Sequence, residues 1–300
     1  MFAFSYVSPQ TKVSALRMCS IKMIKIVTDS SSDLTIEEAN ELEVMIVPLT
    51  ISIGEESFLD GTDVTPKEFI QKMEASKTLP KSSQPAIGEL LKLYNQLTED
   101  GSEVLSIHMS GKLSGTAESA KTAAMMAEGK VNVVDSLFIS KALGFQVREA
   151  AKLAKEGRIA EEIIQKINDI RKNTHLFVVV DTLENLVKGG RIGKGTALIG
   201  SILNIKPIAI LEDGEYSPVA KVRSQSQAIK YLVKQFMKDA KGKTIKYASI
   251  AHANGLDFAM KLKEQIEEKA DFHSVEILWT SPVISTHTGQ GAIGFSYFAE

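Results

Sequence analysis

The stretch Glu103–Ala127, EVLSIHMSGKLSGTAESAKTAAMMA, decides the fold. It opens on a mostly apolar run of strand length, EVLSIHM. It closes on AESAKTAAMMA, rich in alanine and other good helix formers. Between them lies SGKLSGT, Ser110–Thr116, a loop of small and hydroxylated residues. A buried strand feeding a helix through such a loop is the repeating unit of a parallel α/β sheet. Ligands of these sheets sit beyond the carboxyl ends of the strands.

The same alternation extends on both sides. KIVTDS (25–30) is a short apolar run ending in Asp and Ser, and DLTIEEANEL (33–42) carries an N-cap and early acids. VMIVPLTISI (44–53) reads as strand. PKEFIQKMEAS (66–76) and AIGELLKLYNQLTED (86–100) read as helices around a loop, LPKSSQP (79–85). VNVVDS (131–136) is a strand, and two amphipathic helices follow, one ended by Gly157. From Thr174 the pattern changes. IKPIAIL and YSPVAKV flank Asp213-Gly214 as a hairpin, mixed with helices over 226–240 and 257–270. The expectation is two α/β domains. Residues 23–172 form a mostly parallel sheet with helices on both faces, and 173–300 a mixed sheet with helices. Residues 1–22 show no period and read as an N-terminal extension, disordered or added upstream of Met23.

Composition narrows the function. The chain has 300 residues, 44% of them hydrophobic, and a net charge of −2, with no electrostatic reason to bind nucleic acid. One cysteine, Cys19, rules out an internal disulfide and a cysteine-built zinc site and suits a reducing cytoplasm. No apolar run is long enough for stable membrane insertion.

Four Ser/Thr-rich stretches fall at or near strand ends: TDSSSD (28–33), KSSQP (81–85), SGKLSGT (110–116) and Asp135-Ser136. Hydroxyls and helix N-termini can hold an oxyanion; plain N-capping explains the same residues without a ligand. SGKLSGT and GGRIGKGT (189–196) both miss the spacing of a phosphate-binding P-loop. No His pair has metal spacing and no G-x-S-x-G occurs. Asp29, Asp33, Asp60, Asp63 and Asp135 read as cap or turn residues more simply than as Mg²⁺ ligands. His287 stands in a Gly-rich C-terminal loop, and Lys188, Arg191 and Arg223 read either as a solvated surface or as an electropositive rim for a charged partner or substrate.

Taken in order, IVTDSSSD (26–33), SSQP (82–85), SGKLSGT (110–116), DTLENLVKGGRI (181–192) and HTGQGAIG (287–294) resemble the motifs of the DegV family. They span most of the chain from Met23. Two positions depart from the family pattern: Ser82 stands where Thr is usual, and Gln290 where Pro is usual. The resemblance implies a bound long-chain fatty acid and no other cofactor. Its carboxylate would meet Ser82, Ser83, Ser114, Gly115, Thr116 and His287. It also implies a partner, the ATP-binding subunit of a fatty acid kinase, which phosphorylates the presented carboxylate to an acyl phosphate. The chain itself would catalyse nothing. Arg191 and Arg223 would face that partner. An apolar tunnel would take the tail, with Ile199, Ile202, Leu203, Met125 and Phe295 as candidate linings, and Ile205, Met126 and Phe138 beside them. The competing expectation is a hydrolase or phosphotransferase acting on a small anionic substrate through the same loops. A third is a regulatory module.

Overall fold

A computed structural model describes residues 23–198 and 205–300. The expectations for residues 1–22 and for Ile199, Ile202 and Leu203 lie outside the described residues. In chain order the first half runs β1 (Ile24–Asp29), α1 (Ile36–Leu42), β2 (Val44–Val47), β3 (Thr50–Ile53), β4 (Glu56–Leu59), α2 (Pro66–Ala75), β5 (Lys81–Ser83), α3 (Ile87–Thr98), β6 (Glu103–His108), α4 (Thr116–Met126), β7 (Val131–Asp135), α5 (Ser140–Lys155) and α6 (Ala160–Lys172). The second runs β8 (Thr174–Val179), α7 (Glu184–Lys188), β9 (Lys206–Glu212), β10 (Glu215–Val222), α8 (Gln225–Asp239), β11 (Ile245–His252), α9 (Leu256–Ala270), β12 (Val275–Trp279), α10 (Pro282–Thr288) and β13 (Ile293–Ala299).

The first half builds a four-stranded parallel sheet, order β2-β1-β6-β7. Alternation along the strands fills both faces. Val27 and Val104 pack with Leu90, Tyr94 and Ala120 of α3 and α4. Ile26 and Leu105 pack with Ala142, Leu143 and Ile163 of α5 and α6. The second half builds a six-stranded mixed sheet, order β10-β9-β8-β13-β11-β12, in which only β11 and β12 run parallel. One face carries α8 and α9. The other, with Leu176, Val178 and Leu211, shares its apolar core with the first half. A continuous core of this kind holds the two sheets in fixed register by burial of apolar surface.

VMIVPLTISI is not one strand. Pro48 lacks a backbone N–H and ends β2, so the chain turns and β3 joins a separate three-stranded antiparallel sheet, order β4-β3-β5. That sheet includes β5, which lies within the stretch read as the loop LPKSSQP. Three residues are too few for alternation to be visible in sequence.

The strand order reverses about β1: β2 lies on one side and β6 on the other. The carboxyl ends of β1 and β6 therefore frame the crevice where such sheets bind ligands.

Candidate functional site

At that crevice the chain builds a buried polar frame. Asp29 ends β1 and is fully buried. Its Oδ1 accepts the Ser31 amide at 3.1 Å and the Ser31 hydroxyl at 2.5 Å. Its Oδ2 accepts the Met109 amide at 2.9 Å and lies 3.0 Å from Nδ1 of His108. Nε2 of His108 lies 2.7 Å from the Ser106 hydroxyl, which also accepts from Tyr94. The carboxylate thus fastens the end of β6 to the end of β1.

SGKLSGT starts from this anchor. The amides of Leu113 and Ser114 both donate to the Ser110 carbonyl, a tight turn that lifts Ser114 to the head of α4. The α4 start has no side-chain cap at its N-cap residue Gly115; the Ser114 hydroxyl accepts the Thr116 amide at 3.3 Å and lies 2.9 Å from the Thr116 hydroxyl. Gly115 is needed for close approach, because a Cβ there would land on the side-chain amide of Gln84. The SSQP segment so packs directly against the α4 N-terminus, and Gln84 donates to Ser119 at 2.5 Å. Lys112 points elsewhere and pairs with Glu215 at 3.3 Å.

The second half supplies the facing wall. Ser281 and Pro282 start α10 in the way expected of a Pro at the first helical position. His287 therefore sits in the last turn of a helix, and the Gly-rich loop begins only after it. Its Nε2 lies 2.7 Å from the Ser82 hydroxyl, 205 residues away in sequence. Among the described residues Nδ1 has no hydrogen-bond partner, and it faces Gly189, where any Cβ would stand 2.5 Å from it. Burial, and then the nearby Arg191 cation, push the imidazole down to about 4. It is neutral at physiological pH.

The clamp on α10 comes from β1 and the loops around it. Asp33 accepts the Ser140 hydroxyl at 2.6 Å, the Thr280 hydroxyl at 2.8 Å and the Ser281 amide at 2.8 Å. Asp60 accepts the Ser30 hydroxyl at 2.6 Å and the Val283 amide at 3.3 Å. Burial raises Asp33 and takes Asp60 up to about 7.

Ser82, Ser114, Arg191 and His287 meet on one small cavity of about 30 Å³ whose remaining walls include Leu113, Val283 and Ile284. Two further small cavities, of about 20 Å³ each, lie among Leu176, Val178 and Leu186, and Tyr216 lines all three. Polar side chains thus stand beside small apolar cavities, a combination common in ligand sites.

The model of the DegV family matches residues 23–300. A DegV domain-containing protein of Listeria monocytogenes is 43% identical over 281 residues, covering 93% of this chain and all of the relative. The chain belongs to the DegV family. Two solved DegV structures share its fold. A fatty-acid-binding DegV family protein of Thermus thermophilus has a TM-score of 0.87 and 33% identity, covering 93% of this chain and all of that one. DegV of Bacillus subtilis, described as a fatty acid binding protein, has a TM-score of 0.85 and 33% identity, covering 92% and 99%.

Not every residue carried over from the DegV motifs reaches the cavity. Ser82 does, but Ser83, the next residue along β5, is exposed, because successive strand residues point to opposite faces. Thr116 is fully buried, with its hydroxyl 2.9 Å from that of Ser114. Gln290, the DegV departure, is exposed in the turn beyond α10, and His287 is held by the helix before it. Arg191, expected on a partner-facing rim, lies in the cavity wall, donating to the carbonyls of Leu113 at 3.0 Å and Gly189 at 2.6 Å. Arg223 is exposed beside α8. Two tunnel expectations fail. Met125 is 80% exposed on α4, and Met126 is exposed beside it. Phe295 packs at a tilt against Phe236 and Tyr297 on the α8 face of its sheet, opposite the cavity side. Phe138 is plain core and Ile205 half-buried. Leu113, Ile139, Val283, Ile284 and Tyr216 do line the cavities. Their sequence signal is that of any core residue.

Among the described residues no cluster of His, Cys, Asp or Glu could hold a metal ion, and no helix is long and apolar enough to cross a membrane.

Proposed function

We propose that this protein binds one long-chain fatty acid, with its carboxylate at Ser82, Ser114, the α4 N-terminus, Arg191 and His287, and its tail in the apolar cavities around Tyr216. The observation that carries this reading is the convergence of Ser82 and His287, from opposite ends of the chain, at the mouth of apolar space. Each buried methylene contributes about 0.8 kcal/mol, so a chain of about sixteen carbons gains on the order of 10 kcal/mol gross before ordering costs. The head must not give this back. A carboxylate taken from water needs donors on its oxygens. Two hydroxyls, uncapped helix amides and a guanidinium in the wall provide them, and the cation makes this cradle stronger than hydroxyls alone. The fatty acid binding described for the Thermus thermophilus and Bacillus subtilis relatives supports the same reading.

The finer role is that of a substrate carrier. The carboxylate is presented at the cavity mouth to a separate fatty acid kinase subunit, which transfers phosphate from ATP to give an acyl phosphate. Exposed Arg223 and the rim near Arg191 serve that encounter. The hydrolase alternative has one observation in its favour, the Ser106–His108–Asp29 chain, which has the connectivity of a catalytic triad. All three side chains are fully buried, and the Ser106 hydroxyl already accepts from Tyr94. It fastens strands and meets no substrate.

Lipid mass spectrometry of the protein isolated under native conditions tests the binding: a bound fatty acid is expected. Its absence, together with no uptake of added palmitate or oleate, would sink the proposal. Mixing loaded protein with a fatty acid kinase subunit and ATP tests the carrier role through acyl phosphate formation.

A further inference from the structure

The stretch DTLENLVKGGRI (181–192) carries a polar side chain that touches no ligand position, Asn185 of α7. Asn185 is half-buried, and its side-chain amide donates to the Thr286 carbonyl of α10 at 3.2 Å, across 101 residues of sequence. The last carbonyls of a helix have no partner within it. Thr286 is buried in the last turn of α10, so its carbonyl needs a donor from another element, and Asn185 is that donor.

Asn185 also meets the turns on either side of the His287 ring. Its own carbonyl accepts the Gly189 amide at 2.8 Å. Gly289, which follows α10 at φ +77°, comes so close that a Cβ there would stand 3.2 Å from Asn185 Oδ1. From Gly189 the arrangement reaches two groups of the candidate site. Gly189 lies against Nδ1 of His287, and its carbonyl accepts Nη1 of Arg191 at 2.6 Å. Nε of Arg191 in turn donates to the carbonyl of Leu113, the residue before Ser114. Among the described residues, no other side-chain hydrogen bond joins 181–192 to α10.

We propose that Asn185 is a positioning residue for the carboxylate site: by holding the last turn of α10 against the Gly189 turn, it sets the His287 ring on Ser82 and the Arg191 guanidinium in the wall. The inference rests on the fatty-acid reading above for its effect on the ligand. The contact it protects is sensitive to small shifts. His287 Nε2 stands 2.7 Å from the Ser82 hydroxyl, and a displacement of about 1 Å would end that hydrogen bond.

The test uses the full chain and three variants. Asn185→Ala and the near-isosteric Asn185→Leu both remove the donor. Thr182→Ala removes the hydroxyl that accepts the Glu184 amide at 3.2 Å, loosening the start of α7 without touching α10. The ring nitrogen resonances of His287 and the exchange of bound palmitate are read in each. Both Asn185 variants should speed exchange by about five-fold, the worth of one hydrogen bond, and move the His287 nitrogens toward those of a free imidazole. Thr182→Ala should leave both readouts native. Native His287 signals in the Asn185 variants, or a moved ring with unchanged exchange, would overturn the inference. So would the same changes in Thr182→Ala, which would assign the effect to α7 as a whole, or loss of the fold in both Asn185 variants by melting curve. If the native chain binds no palmitate, the fatty-acid reading fails, and the His287 resonances still decide whether Asn185 places the ring.

Discussion

Ser114 and His287 act through single atoms. In the proposed site the Ser114 hydroxyl and the α4 amides would be the head's neutral donors, so Ser114→Ala should leave a ligand oxygen short of one hydrogen bond. Retention of fatty acid should weaken by about 1–2 kcal/mol, read as faster exchange against labelled palmitate. Unchanged exchange would remove Ser114 from the head. His287 is held neutral because burial and Arg191 disfavour its charged form. Its folded value lies below the unfolded one of 6.5, so the stability it contributes is full above that value and is lost as pH falls through about 4. Its ring resonances should stay flat from pH 5 to 8 and titrate near 4. In Arg191→Ala the midpoint should move up, since a like charge is gone. Titration of the native ring near 6.5 would contradict the geometry.

Elements matter where one fixes another. Asp29 ties β6 to β1 at the ligand crevice, and Asp29→Asn replaces an acceptor oxygen facing two donors with an amide at one of its two positions. The variant should lose on the order of 2–3 kcal/mol in denaturant unfolding, because a buried donor goes unmet. A change within a few tenths would show the network to be dispensable. Gly189 ends α7 against the His287 ring and the Asn185 carbonyl. Gly189→Ala should displace His287 from Ser82 and weaken fatty-acid retention. Here the sequence was partly legible. The strand–loop–helix unit around SGKLSGT was readable because its signals are local: apolar run, small loop, helix formers. The strand β5 and the helix α10 were not, since three residues carry no period and a seven-residue helix beside glycines looks like loop. Both carry side chains of the candidate site, Ser82 and His287.

The whole molecule is held at the α10 clamp, where carboxyls of the first half grip the start of a helix of the second. Asp60, raised to about 7, binds its proton more tightly folded than unfolded, where its value is 3.8. Its protonated form therefore contributes stability that is full below about 4 and is lost as pH rises to about 7. The stability difference between native protein and Asp60→Asn should shift by on the order of 4 kcal/mol at most across that window, to the native protein's disadvantage at higher pH. A pH-independent difference would place an ionised Asp60 in both states.

The sequence by itself determined the α/β class, the parallel first sheet, the hydroxylated head loops and the family, because strand and helix periods and cap chemistry are written in neighbouring residues. Only the tertiary structure decided which residues meet. Ser82 faces His287 and Arg191 enters the wall, while Ser83 and Met125 turn to solvent and Phe295 to the far side of its sheet. Cavity walls are made by side chains from strands and helices far apart in the chain. Each reads locally as ordinary core until packing places it beside empty space.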